Sequence, residues 1–365
     1  MKKLLIVTNK EIPSTDYRVS LGDIDGLQTT FVLPDSTLTY KNIEVIKVPL
    51  FGGFSFRKEI VGLTKLFRVL LHNKYDITHF YNTKYYLIGP LLAFLSNNKN
   101  IIITINGFGR VFSSKSKKYL LVKPIFIIML NISSLLSNKI TVQNSDDFKF
   151  LKRILLITFH KKINLVYSAS RLPEQINKKI INDNFNVLHV ARIMKDKGIK
   201  EFLSIARETK KRNMRINFTL IGASAGDKVL DNEVERAVSD GILNYFEYTN
   251  NMSNYYVDTD LILFTSYREG MPRVVLEAMS YGIPVFAYDT VGLRDVVKND
   301  YNGKLFTLYD VNNIATEIVE ISKDINKMKS FQDNALKLFN KDFTFDSYRK
   351  RIKEIYFDLN NITRS

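Results

Sequence analysis

Two carboxylates eight residues apart, Glu269 and Glu277, bracket the stretch Glu269-Gly-Met-Pro-Arg-Val-Val-Leu-Glu277, and their surroundings decide what they can do. Before them, Leu261-Ile-Leu-Phe264 is an apolar run of the length of a buried strand. After them, Arg273 to Tyr281 reads as a helix, with Gly282 to end it, Pro284 shortly beyond and Val285-Phe-Ala287 as the next strand. Strand, turn, helix and strand within about thirty residues is a βαβ unit, which requires a parallel sheet. Glu269 then falls in the turn and Glu277 in the helix, both able to face the carboxyl ends of the strands, where open α/β sheets bind ligands. The helix that starts near Arg273 offers free N–H groups and a positive dipole end to an anion such as a diphosphate. Carboxylates repel phosphate. Beside an anion site they fit as acceptors for the hydroxyls of a sugar and a ribose attached to that diphosphate.

The same stretch, continued through Ala278-Met279, Gly282, Pro284-Val285 and Gly292, resembles the E-x7-E signature of retaining glycosyltransferases of family GT4. The resemblance implies an α/β chain of GT-B fold: two doubly wound, Rossmann-like domains facing a central crevice, with a C-terminal helix crossing back to the first domain. It implies a nucleotide-sugar donor whose sugar is held by Glu269 and the backbone N–H groups of Gly270 and Met271, and whose ribose is held by Glu277. Arg273 and Val274 open the helix on the donor side. A second phrase, Val190-Ala-Arg-Ile-Met-Lys-Asp-Lys-Gly198, matches the same family, and by that match Arg192 and Lys197 grip the donor diphosphate. Gly222 ends the strand Asn217–Ile221 on the donor side. The run Gly222-Ala-Ser-Ala-Gly226 is not G-x-G-x-x-G, which argues against a dinucleotide-binding dehydrogenase. In this family the strand corresponding to Phe246–Thr249 frames the nucleobase.

The elements that must position these residues fall into two sets. Strand-like runs at residues 2–8, 31–33, 43–48, 74–80 and 101–105 alternate with helical stretches such as Arg57–Asn73 and Tyr85–Leu95, a doubly wound pattern. The organisation expected is an acceptor-side domain over residues 1–165, a linker over 166–184, a nucleotide-sugar domain over 185–343, and a terminal crossover helix and tail over 344–365. The last strand of the first set runs into Asn106-Gly-Phe-Gly-Arg110. Many GT4 members carry a histidine here. This loop is closer to the Gly-x-Gly loop of bacterial transferases that extend undecaprenyl-diphosphate-linked sugars, as is Val142-Gln-Asn-Ser-Asp-Asp147. Asn106, Gly107, Gly109 and Arg110 are therefore acceptor-side candidates. Asp146 and Asp147 read equally well as the cap and first-turn acid of a helix. The loop after the first strand, Asn9 to Asp25, lacks the paired glycines common in the family; its Arg18 could meet a phosphate but reads better as a solvated arginine.

With 365 residues, 45% of them hydrophobic, the chain is long enough for two cores. It has no Cys, which excludes disulfides and thiolate metal sites and fits a reducing compartment. The apolar run after Met1 is too short for a signal peptide and reads as a first strand. The longest strongly apolar stretch, Pro124 to Ile132, falls short of the roughly 20 residues that span a bilayer. The net charge of +16 is uneven: residues 1–165 carry 24 Lys and Arg against 10 Asp and Glu, and residues 166–365 carry 29 against 27. The basic half calls for an anionic partner. Within it, Arg110 to Phe126 has Arg110, Lys115, Lys117, Lys118 and Lys123, no acid, and interleaved aromatic and aliphatic residues. That composition suits an interfacial segment on anionic lipid, as does the glycine–aromatic loop Phe51–Phe56. A single-strand nucleic-acid surface has a similar composition, but nucleic acid explains the charge and none of the motifs.

The reading is a hexosyltransferase that moves a sugar, from a UDP-linked donor, to a lipid-linked or polysaccharide acceptor in bacterial surface-glycan synthesis. It would be retaining, with Glu269, Arg192 and Lys197 as its catalytic residues. It would be cytoplasmic and peripheral on the inner face of the cell membrane. No cofactor is expected. No metal is expected either, since no Asp-x-Asp motif suited to a divalent ion is evident and His72, His79, His160 and His189 lack metal-ligand spacing. A GT-B nucleotide-sugar 2-epimerase shares the architecture and lacks the E-x7-E phrase in this form. A non-catalytic partner subunit would not need all four of Arg192, Lys197, Glu269 and Glu277 intact.

Overall fold

The computed structural model describes all residues except 11, 14, 35–38, 51–54, 109–110, 113–116, 174–183, 250 and 363–365, and the side chains of 56, 117, 118 and 360–362. The chain divides into two compact units, Met1–Ala169 together with Phe345–Ser365, and Ser170–Thr344.

In the first unit seven parallel strands form one sheet: β1 (Lys2–Val7), β2 (Leu27–Leu33), β3 (Ile43–Lys47), β4 (Ile77–Phe80), β5 (Ile101–Ile105), β6 (Lys139–Val142) and β7 (Ile163–Leu165). Their order is β3-β2-β1-β4-β5-β6-β7, so the winding reverses between β1 and β4, where open sheets place ligands. Strands covered on both faces are apolar along their length, and every residue of β5 is buried. One face packs Leu66, Tyr86, Leu130 and Leu151 from four successive helices. The other face packs Leu21 of the 3-10 helix Tyr17–Asp23 against Tyr348, Ile352 and Tyr356 of the last helix, Phe345–Ile362. The C-terminal helix is thus part of the first unit's core.

The second unit is a six-stranded parallel sheet of β8 (Phe185–Val190), β9 (Ile216–Ile221), β10 (Asn244–Phe246), β11 (Leu261–Phe264), β12 (Val285–Tyr288) and β13 (Gly303–Phe306). The order is β10-β9-β8-β11-β12-β13. Its core includes Val187, Phe218, Leu263 and Phe286.

Three expectations change, and strand β13 was not foreseen. The strand placed at Phe246–Thr249 is Asn244–Phe246; pairing with β9 stops where Phe246 meets Ile221, and Gly222 N–H closes on the Phe246 carbonyl at 2.9 Å. β13 has no long apolar run to betray it. The apolar stretch Pro124–Ile132, expected to be too short to span a bilayer, lies inside a helix over Lys117–Leu136, whose stretch Tyr119–Leu136 is long and apolar enough to cross a membrane by length and composition. Arg18 is buried, not solvated: its Nε and Nη2 each lie 2.9 Å from an Asp16 carboxylate oxygen. Folding residues 17–23 against β2 takes the cation out of water, and a buried charge requires a partner.

His79 is buried at the centre of the first unit, with Nδ1 2.7 Å from the Tyr356 hydroxyl and Nε2 2.6 Å from Thr104 Oγ1. Burial, helped by the nearby Arg18 charge, lowers its pKa to about 3. The unfolded chain takes up a proton there near the ordinary value of about 6.5 while the folded chain does not. The stability this group contributes is intact above that value and is lost as pH falls toward 3. Its share of the slope is at most about 1.4 kcal/mol per pH unit. His79→Gln is expected to flatten the dependence of denaturation free energy on pH between 4 and 6.5. An unchanged slope would mean that His79 titrates normally.

Candidate functional site

At the carboxyl ends of β8, β9, β11 and β12 four loops meet, and small residues let them do so. A Cβ on Gly222 would lie 1.9 Å from the Ala191 carbonyl oxygen and 3.1 Å from the Arg192 nitrogen, so the backbone that carries Arg192 rests directly on Gly222. Gly198 has φ +68°, and a Cβ there would sit 2.0 Å from the Thr265 carbonyl oxygen. Gly292 has φ +85°, with the Glu269 and Gly270 carbonyl oxygens 2.6 Å from where its Cβ would be. Hydrogen bonds fasten the same loops: Glu269 N–H donates to Val291 O at 3.1 Å, Tyr267 N–H to Asp196 O at 3.1 Å, and Thr265 Oγ1 to Gly198 O at 2.9 Å. A side chain at position 198 would meet both a left-handed backbone and a carbonyl. Gly198→Ala is expected to cost more than about 2 kcal/mol and lower the unfolding temperature by several degrees. A melting curve that overlays wild type would show that the loops do not depend on this contact.

The two phrases singled out in the sequence are brought together here. Lys197 Nζ donates to Glu269 Oε1 at 2.5 Å, and both side chains are partly buried, 23% and 16% exposed. Arg192 is exposed at the end of β8. Arg273 is exposed at the head of the helix Arg273–Ser280, whose first turn carries no side-chain cap. Gly270 and Val274 are half-buried and Met271 is buried. The helix ends as expected: Gly282 N–H reaches Met279 O at 2.9 Å and Ile283 N–H reaches Ala278 O at 3.1 Å. Val275 and Leu276 are wholly buried, which fixes where the helix points its first turn.

Glu277 accepts a hydrogen bond from the Tyr256 hydroxyl on Oε2 at 3.0 Å. Burial pushes its carboxyl above the usual carboxylate range; the Tyr256 hydrogen bond and the Arg273 charge pull it part of the way back. Two participants escaped the sequence reading. Tyr256 lies in no motif and meets Glu277 only through the fold. Ser266, two residues past the end of β11, is buried with a hydroxyl that has no partner among the described residues. A polar residue directly after a buried strand was the signal available for it.

In the first unit, Asn106 follows β5, and its buried Oδ1 has no partner among the described residues. Asn9, past the end of β1, has the same feature. Between them, at the end of β4, Asn82 holds φ +66° and its Oδ1 accepts from Thr8 Oγ1 at 2.5 Å. Gly107 is half-buried beside Asn106, while Gly109 and Arg110 lie outside the described residues. Asn144 is the cap of the helix Ser145–Ile154, accepting from the Asp147 N–H at 2.7 Å, which leaves Asp146 and Asp147 as first-turn acids. Among the described residues no group of three or more His, Asp or Glu is placed to hold a metal ion.

Two doubly wound parallel units, the second with a cationic and carboxylate cluster on its strand ends, define a GT-B glycosyltransferase fold, and solved structures agree. HepE of Anabaena, in complex with UDP and glucose, superposes with a TM-score of 0.77 at 15% identity over 97% of this chain and 99% of that one. Sucrose-phosphate synthase of Thermosynechococcus elongatus gives 0.82 at 17% identity over 99% and 100%. Residues 172–338 match the family "Glycosyl transferases group 1" and residues 30–144 match "Glycosyl transferase 4-like". Together these matches support a GT4-family glycosyltransferase. The chain's curated relatives include the capsular polysaccharide biosynthesis glycosyltransferase CapM of Staphylococcus aureus, 22% identical over 96% of this chain and 95% of that protein. Another is the UDP-Gal:alpha-D-GlcNAc-diphosphoundecaprenol alpha-1,3-galactosyltransferase of Escherichia coli, 23% identical over 95% and 91%.

Proposed function

We propose that this chain is a retaining hexosyltransferase that moves a sugar from a UDP-linked donor to a lipid-linked or polysaccharide acceptor in bacterial surface-glycan synthesis. The observation that carries the reading is the contact between Lys197 and Glu269, which sets a cation for the diphosphate beside an acceptor for sugar hydroxyls. Arg192, Lys197 and the uncapped helix N-terminus at Arg273 would offset the charge that grows on the departing diphosphate. Preorganised positive charge aimed at developing negative charge is usually the largest catalytic contribution. Glu269 and the Gly270 and Met271 N–H groups would hold the sugar, with Glu277 on the ribose. The bond from the anomeric carbon to phosphate breaks and one from the acceptor hydroxyl forms on the same face. The acceptor's proton passes to the departing phosphate, so no protein base is required. The unpartnered amide oxygens of Asn9 and Asn106 suit acceptor hydroxyls on the first unit. The relatives named above support this substrate class by their own names: one acts in capsule synthesis and one on a diphosphoundecaprenol-linked sugar.

Release of nucleoside diphosphate from a panel of nucleotide sugars, with and without a polyprenyl-diphosphate-linked sugar, tests the assignment. Acceptor-stimulated release from a UDP-sugar is expected; no release from any donor would reject it. Transfer is also expected to persist in chelator, because the phosphate site is already cationic and no group of three or more His, Asp or Glu among the described residues is placed to hold a metal ion. Activity lost in chelator and restored by magnesium or manganese would contradict that.

A further inference from the structure

We propose that the first unit lies on an anionic lipid bilayer through the outer face of its helices Thr83–Leu95 and Lys117–Leu136, held by apolar insertion as well as by charge. A peripheral membrane location is an expectation from the sequence; the surface and the mode of attachment proposed here are separate from it and from the transferase reading.

The longer helix is turned inside out. Its sheet-facing side carries Phe126, Leu130, Ser133 and Ser134, all buried, two of them small and polar. Ser133 Oγ donates to the Tyr86 carbonyl oxygen at 2.5 Å, which ties this helix to its neighbour. The opposite side carries Leu121, Ile125, Ile128, Ile132 and Leu135, spaced four, three, four and three residues apart, and all are exposed. That spacing is one stripe along a helix, over roughly 20 Å at 1.5 Å per residue. Leu121 is 77% exposed and Ile128 60%. Packing against the same core, the helix Thr83–Leu95 adds Leu91, Phe94 and Leu95 to the outward side, and the turn after the helix Ser145–Ile154 adds Leu156 and Ile157. Single exposed apolar residues are ordinary, but a continuous stripe with a second helix beside it marks a surface that meets something apolar. In the second unit, exposed apolar side chains such as Met214, Val229 and Ile325 lie far apart in sequence and form no such helical stripe.

Charge names the occupant. From Ile77 to Ser145, 69 residues that include both helices, the sequence has no Asp or Glu and eight Lys or Arg. A second copy of this chain would set like charge against like. A bilayer with anionic headgroups over an apolar interior satisfies both properties at once. The buried face of the longer helix belongs to the protein core, so the helix lies along the interface and does not cross it. The attachment is therefore centred on the stripe, with Lys117, Lys118 and Lys123 in the first two turns of that helix adding the salt-sensitive part.

Sedimentation with phosphatidylglycerol–phosphatidylcholine vesicles separates these parts. Wild type is expected to bind them at 0.1 M salt and to keep a measurable fraction bound at 0.5 M, where charge alone is screened. Replacing Ile125, Ile128 and Ile132 together by Gln is expected to weaken binding at least tenfold at both salt concentrations. The unfolding temperature should stay the same or rise, since the side chains contact solvent. Lys115→Glu with Lys117→Glu and Lys118→Glu should reduce binding mainly at low salt. Equal vesicle binding by wild type and the triple Gln variant would overturn the proposal. So would a wild-type dimer in solution that the Gln substitutions convert to monomer, which would assign the stripe to self-association. Release of nucleoside diphosphate with a soluble acceptor should be the same in the triple Gln variant, so failure here leaves the transferase reading intact.

Discussion

Arg192→Ala and Lys197→Ala are each expected to lower turnover about a hundred- to a thousand-fold while the protein stays folded. The magnitude follows from the loss of one preorganised charge at a developing anion, typically about 2.7–4 kcal/mol of transition-state stabilisation. Folding should tolerate both. Arg192 is exposed, and the Lys197–Glu269 pair, being partly solvated, contributes at most about 1 kcal/mol to stability. A guanidinium can hold two phosphate oxygens and an ammonium acts as a point charge, so Arg192→Lys should recover only part of the activity. Steady-state turnover with a saturating donor, alongside melting curves, checks this. Activity within threefold of wild type in both alanine variants would remove these residues from the site.

The second large effect is a division between the two glutamates. Glu277→Gln is expected to weaken binding of the donor and of free nucleoside diphosphate alike, because its proposed partner is the ribose. A ribose hydroxyl bonded to a carboxylate contributes roughly 1.5–3 kcal/mol, or more than tenfold in affinity. Stability should not fall in that variant. Burial already penalises the ionised carboxyl of Glu277, and a Gln oxygen can still accept from Tyr256. Because the folded-state pKa is raised, ionisation of Glu277 opposes folding as pH rises, and Gln removes that opposition at neutral pH. Glu269→Gln should leave affinity for the sugar-free nucleotide nearly unchanged and lower turnover at least tenfold, since its proposed partner is the transferred sugar and it already holds Lys197. Calorimetric titration of nucleoside diphosphate into each variant separates the two roles. Loss of nucleotide affinity in Glu269→Gln with none in Glu277→Gln would reverse the assignment.

Much of the second unit was legible because its strands are short apolar runs bounded by glycine and proline, and its chemistry sits directly on their ends. The βαβ unit from Leu261 to Ala287 emerges with its helix at Arg273–Ser280 and its stop at Gly282, each set by local chemistry. The pairing of Lys197 with Glu269 spans 72 residues and follows only once β8 and β11 are neighbours. What stayed hidden depends on contacts with no local signature. Tyr256 reaches Glu277 across the fold, and Arg18 is buried because Asp16, Tyr17 and Tyr81 close around it. The outward apolar stripe from Leu121 to Leu135 was hidden for a related reason. Composition alone makes that helix a core helix, and only burial reveals that serines face the sheet while leucine and isoleucine face outward.

The central claim is that the loops on β8, β9, β11 and β12 bind the diphosphate of a nucleotide sugar. Thermal unfolding with added uridine diphosphate tests it most directly. A ligand at a hundred times its dissociation constant stabilises the folded state by about 2.7 kcal/mol, enough to raise the unfolding temperature by a few degrees. The expected result is a dose-dependent rise in wild type that is lost in a variant carrying both Arg192→Ala and Lys197→Ala, without any change in that variant's ligand-free melting curve. An equal rise in both proteins would contradict the account.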